Sequence, residues 1–216
     1  MDNNSSKIPS GFLLQSGNSL NGNFLISGSC SGVGNVQGQL SGSNVSLSLD
    51  AADQSLNFTG TAKSDGTSMS GNYSVLAAGC GFSSPGTWTA NRVSDLTGNF
   101  QGIFTSVITP NLTFHFSGTL TQGANTGSSY AALSGSMTST DATCFTSASI
   151  SGQISGTAVV FNLLNANGVA LGKIDGNIAL DASSMSGNYY FINAKNPLAC
   201  GSDFGTVVLA ITGSAG

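Results

Sequence analysis

His115 is the only histidine in 216 residues, and so the only side chain whose ordinary pKa falls between 5 and 8. A hydrolytic triad or a proton shuttle would have to be built on it. It stands between Phe114 and Phe116. The alternation of a strand puts it on the face opposite the two rings, which reads as a solvated imidazole rather than a base in a cleft. Asp50 and Asp53 are the closest pair of acids, as glycoside chemistry would ask for. They occupy a turn, where Asp is the expected local hydrogen-bonding residue. No Asp-x-Asp-x-Asp-Gly loop for calcium is present. The Gly-x-Gly and Ser-Gly pairs are not phosphate loops, because no helix follows to present its N-terminus. No catalytic residue, no metal and no cofactor are expected.

The remaining reactive groups are four thiols, Cys30, Cys80, Cys144 and Cys200. None belongs to a Cys-x-x-Cys pair and His115 is remote from all of them, so a zinc site lacks its ligands. Disulfides are the expectation, and with them an oxidising compartment: secreted, periplasmic or cell-surface. Residues 1–10 are polar and carry no apolar leader core. They read as a tether that follows a removed export signal, with lipid anchoring one form of it. The five basic residues, Lys7, Lys63, Arg92, Lys173 and Lys195, are scattered, which excludes a phosphate-tracking surface and hence nucleic acid. Every one of the nine acids is Asp; with no Glu and so little Lys and Arg there is almost nothing from which to build surface helices. Hydrophobic residues make up 39%, enough for a core, but no run reaches the ~18 apolar residues of a spanning helix.

The elements that must position these groups are legible because the chain repeats itself. Cys30 is followed eight residues on by Gly38-Gln39-Leu40-Ser41-Gly42, and Cys144 eight residues on by Gly152-Gln153-Ile154-Ser155-Gly156, an offset of 114. Ser68-Met69-Ser70-Gly71-Asn72-Tyr73 recurs as Ser184-Met185-Ser186-Gly187-Asn188-Tyr189, offset 116. Cys80 recurs as Cys200, and Gly86-Thr87-Trp88 as Gly205-Thr206-Val207. A period this long makes each repeat a domain in itself. The division is a tether at 1–10, a first repeat at 11–92, a linker at 93–95 and a second repeat at 96–216.

Within each repeat apolar residues alternate with period two, as in Val45-Leu47-Leu49 and Ile174-Gly176-Ile178-Leu180. Gly and Asx turns separate the runs. The second repeat divides into eight strands, near 96–105, 111–121, 129–138, 146–154, 157–165, 169–180, 185–193 and 204–213. Short connections make each antiparallel to the next. The fold class is therefore all-β, a tandem duplication of an antiparallel up-and-down β-barrel with one disulfide per repeat; a flattened β-sandwich with the same meander is the alternative. Cys144 and Cys200 fall in loops at one end of that meander and Cys30 and Cys80 in the equivalent loops of the first repeat, which pairs Cys30 with Cys80 and Cys144 with Cys200. An outer-membrane barrel with the opposite sidedness is a further alternative, because alternation does not say which face meets lipid.

Leu96-Thr97-Gly98-Asn99-Phe100, Gly118-Thr119-Leu120-Thr121-Gln122, Leu133-Ser134-Gly135, Cys144, Gly152-Gln153, Ser186-Gly187-Asn188-Tyr189 and Cys200 together resemble a repeat of uncharacterised secreted or lipoprotein-type bacterial proteins. The resemblance covers nearly all of the second repeat and most of the first, and implies export and a small β-barrel-like domain without an established chemistry. More distantly, the eight-strand meander is similar to lipocalin and avidin-type barrels. Those families usually carry Gly-x-Trp in their first strand, whereas Gly86-Thr87-Trp88 here begins the last strand of its repeat.

Aromatic residues are the one feature with binding potential. Phe58, Tyr73 and Trp88 of the first repeat, and Phe114, Phe116, Phe161, Tyr189 and Phe191 of the second, either line a cavity for a small hydrophobic ligand or simply pack a core. The first repeat also begins a strand late: Gly11-Phe12-Leu13-Leu14-Gln15 matches Gly118–Gln122 and not the strand before it. Its edges near 11–15 and 86–92 would then be open to strand addition. The expected function is a non-enzymatic exported or cell-surface module that binds a small apolar ligand. The alternative is a structural or adhesive subunit that takes up a strand from a surface protein or another copy.

Overall fold

The computed structural model describes residues 9–26, 31–52, 54–77, 85–109, 111–142, 145–192 and 203–213. Fifteen strands and no helix are found among them. Cys30, Cys80, Cys144 and Cys200, Asp53, and the expected tether up to residue 8 lie outside the described residues. The chain divides into two compact units, Met1–Arg92 with Asn125–Tyr130, and Val93–Ala124 with Ala131–Gly216.

The first unit is one open antiparallel sheet of seven strands in sequence order: β1 (Pro9–Ser16), β2 (Ser19–Ile26), β3 (Gly32–Ser41), β4 (Asn44–Ala51), β5 (Gln54–Ala62), β6 (Ser68–Ala77) and β7 (Gly86–Asn91). The second is a closed barrel of eight: β8 (Gly98–Ser106), β9 (Thr113–Gln122), β10 (Ala131–Ser139), β11 (Ser147–Ser155), β12 (Ala158–Leu164), β13 (Ala170–Ile178), β14 (Ser184–Phe191) and β15 (Phe204–Thr212). Closure comes from β15 pairing with β8, with Val207 opposite Phe104 and Leu209 opposite Gly102. Of the two architectures the alternation allowed for the second repeat, the barrel is the one formed.

Turn chemistry sets the register. Gly42 and Gly156 hold equivalent places in two-residue hairpin loops, at φ 60° and 57°, a region closed to most side chains. Gly60 faces Gly71, and Gly176 faces Gly187, across neighbouring strands. A Cβ on Gly187 would come within 2.6 Å of the Gly176 Cα, so the two backbones approach as only glycine permits.

Alternation sorts the faces of the second unit. Phe100, Phe104, Phe116, Leu133, Ile150, Phe161, Ile174, Tyr189 and Val207 point inward and are buried, while Gln101, Thr119, Ser136, Ser151, Asn162 and Asn188 point out. An apolar inside and a hydroxyl- and amide-bearing outside is the reverse of a barrel that faces lipid. No described helix is long and apolar enough to cross a membrane. In the first unit the buried core is narrower, built from Leu20, Ile26, Val36, Val45, Leu47, Leu49 and Leu56 of β2 to β5.

Candidate functional site

The cavity-lining candidates fall into two groups. Phe114, Phe116, Phe161, Tyr189 and Phe191 are all buried inside the closed barrel. Tyr189 and Phe191 lie 4.5 Å apart by ring centroid, and Phe104 of β8 stands 4.7 Å from Phe116, 5.3 Å from Tyr189 and 6.0 Å from Phe191. These are spacings of directly packed aromatic pairs, so the rings fill the barrel with one another. Phe58, Tyr73 and Trp88 instead share the apolar face of the open sheet and are only partly buried, with centroids 6.0 Å (Phe58–Tyr73) and 5.7 Å (Phe58–Trp88) apart. Trp88 Nε1 donates to the Thr59 carbonyl at 3.2 Å, which fixes its indole against β5.

The difference has one cause. By repeat correspondence Phe58, Met69, Tyr73 and Trp88 match Ile174, Met185, Tyr189 and Val207, each no more than 1% exposed. In the closed barrel β8 covers that column, chiefly through Phe104. The open sheet ends at β7 with no counterpart of β8. Its apolar face therefore stays half-covered. The tandem repeats do not have similar interiors, as the equivalent placing of Tyr73 and Tyr189 leads one to expect.

Asn125–Tyr130 belongs to the first unit and sits at the β1 end of the sheet. Asn125 Nδ2 donates to the Leu13 carbonyl (3.3 Å) and Asn23 Nδ2 to the Gly127 carbonyl (2.8 Å). The β1 edge is thus partly capped. The opposite, polar face of β2 to β5 carries a shallow depression of about 520 Å³ lined by Asn21, Gln37, Gln39, Ser46, Ser48 and Asn57, a surface of neutral hydrogen-bonding groups.

Polar clusters in the second unit escaped the sequence reading. His115 is exposed, as its alternation predicts, but it is not alone. Its Nδ1 lies 2.6 Å from Asp141 Oδ2, and its backbone N–H donates to Oδ1 at 2.9 Å. Ser139 Oγ also donates to Oδ1. The backbone hydrogen bond from His115 first, then its ring and Ser139, hold the Asp141 carboxyl down at about 2. The β9–β10 hairpin register brings the pair together, since Phe116 lies opposite Ser139. The arrangement orients an imidazole on the surface. Asp203, by contrast, is buried, and accepts from Ser106 Oγ at 2.6 Å and Tyr189 Oη at 2.8 Å. Ser106 Oγ in turn accepts from the Thr109 N–H. Burial, then the hydrogen bond and charge of Asp203, push the Tyr189 phenol above its ordinary value and keep it a donor. With its proton given to Asp203 and its lone pair taken by Thr109, the Ser106 hydroxyl acts as a clamp between β8, β14 and the start of β15. Asp50, the described member of the turn pair, accepts from Ser55 Oγ at 2.6 Å, which is the local role expected of it. No group of three or more His, Cys, Asp or Glu side chains converges among the described residues.

The chain matches no protein-family model and no curated protein.

Proposed function

We propose that this protein is a non-enzymatic module, exported or displayed at the cell surface, whose binding element is the apolar face of the open first sheet. The supporting observation is the unequal burial of equivalent residues: Tyr73 and Trp88 are half-covered where Tyr189 and Val207 are fully buried. A half-covered aromatic face of this kind takes up apolar matter, and a small hydrophobic ligand lodged against Phe58, Tyr73 and Trp88 is the simplest occupant. Export is supported by a cysteine at each of the equivalent positions 30, 80, 144 and 200, by the low charge, and by the resemblance of the repeat to secreted and lipoprotein-type proteins. The test uses an apolar dye such as anilinonaphthalene sulfonate on the full chain. Saturable binding that is lost in Trp88→Ala, but kept when Phe161→Leu is made in the closed barrel, is the expected result. Dye binding indifferent to both substitutions overturns the reading.

A second reading is favoured by a specific observation, the unpaired outer edge of β7. On this reading the module is structural or adhesive, and takes a strand from another polypeptide along that edge.

A further inference from the structure

We infer that β7 is the docking edge for one strand of a partner polypeptide whose sequence follows the pattern of β8, aromatic-x-small-x-aromatic on its inner face. The inference rests on the second reading above and names its partner and register.

The backbone parity of β7 points to it. The Arg92 N–H donates to the Thr67 carbonyl, on the β6 side. Antiparallel ladders alternate, so Gly86, Trp88 and Ala90 turn their N–H and C=O groups toward β6, and Thr87, Thr89 and Asn91 turn theirs outward. The same parity holds in the closed barrel. There the Ile211 N–H donates to the Ser183 carbonyl on the β14 side, and the groups of Thr206, Val208 and Ala210 turn to β8. Thr87, Thr89 and Asn91 are the counterparts of Thr206, Val208 and Ala210. The edge that β8 satisfies in one repeat is therefore open at the same positions in the other.

The side chains select the sequence. In β8, Phe100, Gly102 and Phe104 face inward and Asn99, Gln101, Ile103 and Thr105 outward. Carried to β7 by the repeat correspondence, the Phe104 position of the incoming strand lies opposite Trp88 and the Gly102 position opposite Ala90. An aromatic ring opposite Trp88 covers Trp88 and Tyr73, as Phe104 covers Tyr189. Gly102 has no room for a Cβ because of Leu209; Ala90 is smaller, so a small side chain fits there as well as glycine.

A second copy of the chain is a poor donor. The one β8 among the described residues is paired along both edges, and Phe100 and Phe104 are buried, so lending it means opening the closed barrel. At the offset of 107 that sets Gly11 on Gly118 and Leu13 on Leu120, the counterpart of Gly98–Ser106 precedes residue 1 and is not in β1. The donor is a strand of another protein.

The test titrates the full chain with a synthetic peptide of the sequence Gly98–Ser106 and follows Trp88, the only tryptophan. Saturable blue-shifted emission is expected. A peptide N-methylated at the Ile103 position, whose N–H would bond β7, should bind at least about tenfold more weakly, since one strand hydrogen bond is removed and its acceptor left bare. Thr89→Pro removes an outward N–H from β7 and should weaken the unmodified peptide similarly. No emission change, or equal binding of both peptides, overturns the inference. So does self-association of the chain without peptide that Thr89→Pro abolishes, because the occupant is then a second copy. Dye binding to the Trp88 face with no peptide binding removes the strand and leaves the apolar-ligand reading intact; loss of both removes both.

Discussion

The two repeats carry the same strand grammar and end in different states. In the closed barrel, Tyr189, Met185, Ile174 and Val207 are sealed; in the open sheet, Tyr73, Met69, Phe58 and Trp88 are half-covered. The residues are similar, so composition is not the cause. One strand is. Phe104 alone contacts three aromatic rings in the barrel, and its absence from the other repeat uncovers the equivalent column. A meander stores its last increment of burial in the closing strand, and the repeat that lacks it keeps that increment for something else.

The sharpest way to break this comparison is to remove the closing aromatic. Phe104→Ala should cost the closed barrel about 3–5 kcal/mol, the usual toll of a fully buried Phe, whereas Trp88→Ala in the half-covered sheet should cost at most about half of that. Denaturant unfolding followed separately by Trp88 emission and by circular dichroism checks both; equal losses would mean the strand is not what separates the repeats. Where the repeats agree, substitutions should act alike. Gly71→Ala and Gly187→Ala each put a Cβ on the glycine across the ladder, within 2.5 Å and 2.6 Å of its Cα, and each should destabilise its own unit by about 1–3 kcal/mol.

A smaller effect tests the buried clamp that only the closed barrel owns. Tyr189→Phe leaves Asp203 one donor short and should cost about 1–2 kcal/mol. The same substitution removes a pH slope. The phenol is raised in the folded state from an ordinary 10.0, so its contribution is complete below that pH and is lost as pH rises beyond it, when the unfolded chain ionises first. Thermal melts of wild type and variant should therefore converge above about pH 10. Least of all is expected from Asp141→Asn. Asp141 is lowered from 3.8 to about 2, so its stabilisation is present above about pH 4 and fades as pH falls toward 2. The pair is well exposed, with 62% and 42% of the two side chains accessible, so solvent screening keeps the effect below about 1 kcal/mol.

Strand placement was legible because alternation and Gly turns are local signals. Each strand expected in the second repeat overlaps a strand of the barrel, and boundaries such as 146–154 against Ser147–Ser155 differ by one residue, where a ladder frays into its turn. The sidedness was not legible, since period two is identical for a barrel and its inverse; burial of Phe104 and exposure of Gln101 decide it. Partners brought together by register escaped as well. Asp141 meets His115 across 26 positions and Asp203 meets Ser106 across 97, and neither pairing follows from spacing before the strands are aligned. Nor does sequence alone separate a ring that packs a filled barrel from one that lines an open face. Tyr73 and Tyr189 sit in identical hexapeptides.

The ladder that closes the barrel joins Thr212 to Asn99, 113 positions apart, while every ladder of the open sheet joins neighbours in sequence. Closing long loops is entropically slow, so the two repeats differ in when they form. On the ribosome the first sheet zips up hairpin by hairpin as it emerges. The barrel must wait for its final strand. Until β15 arrives, β8 and β14 are both bare edges, and β14 carries the same Ser-Met-Ser-Gly-Asn-Tyr segment that β6 has already paired against β5. A nascent chain stalled before residue 204 thus presents two unfinished sheets with interchangeable strands, the condition in which misregistered pairing and aggregation compete with folding.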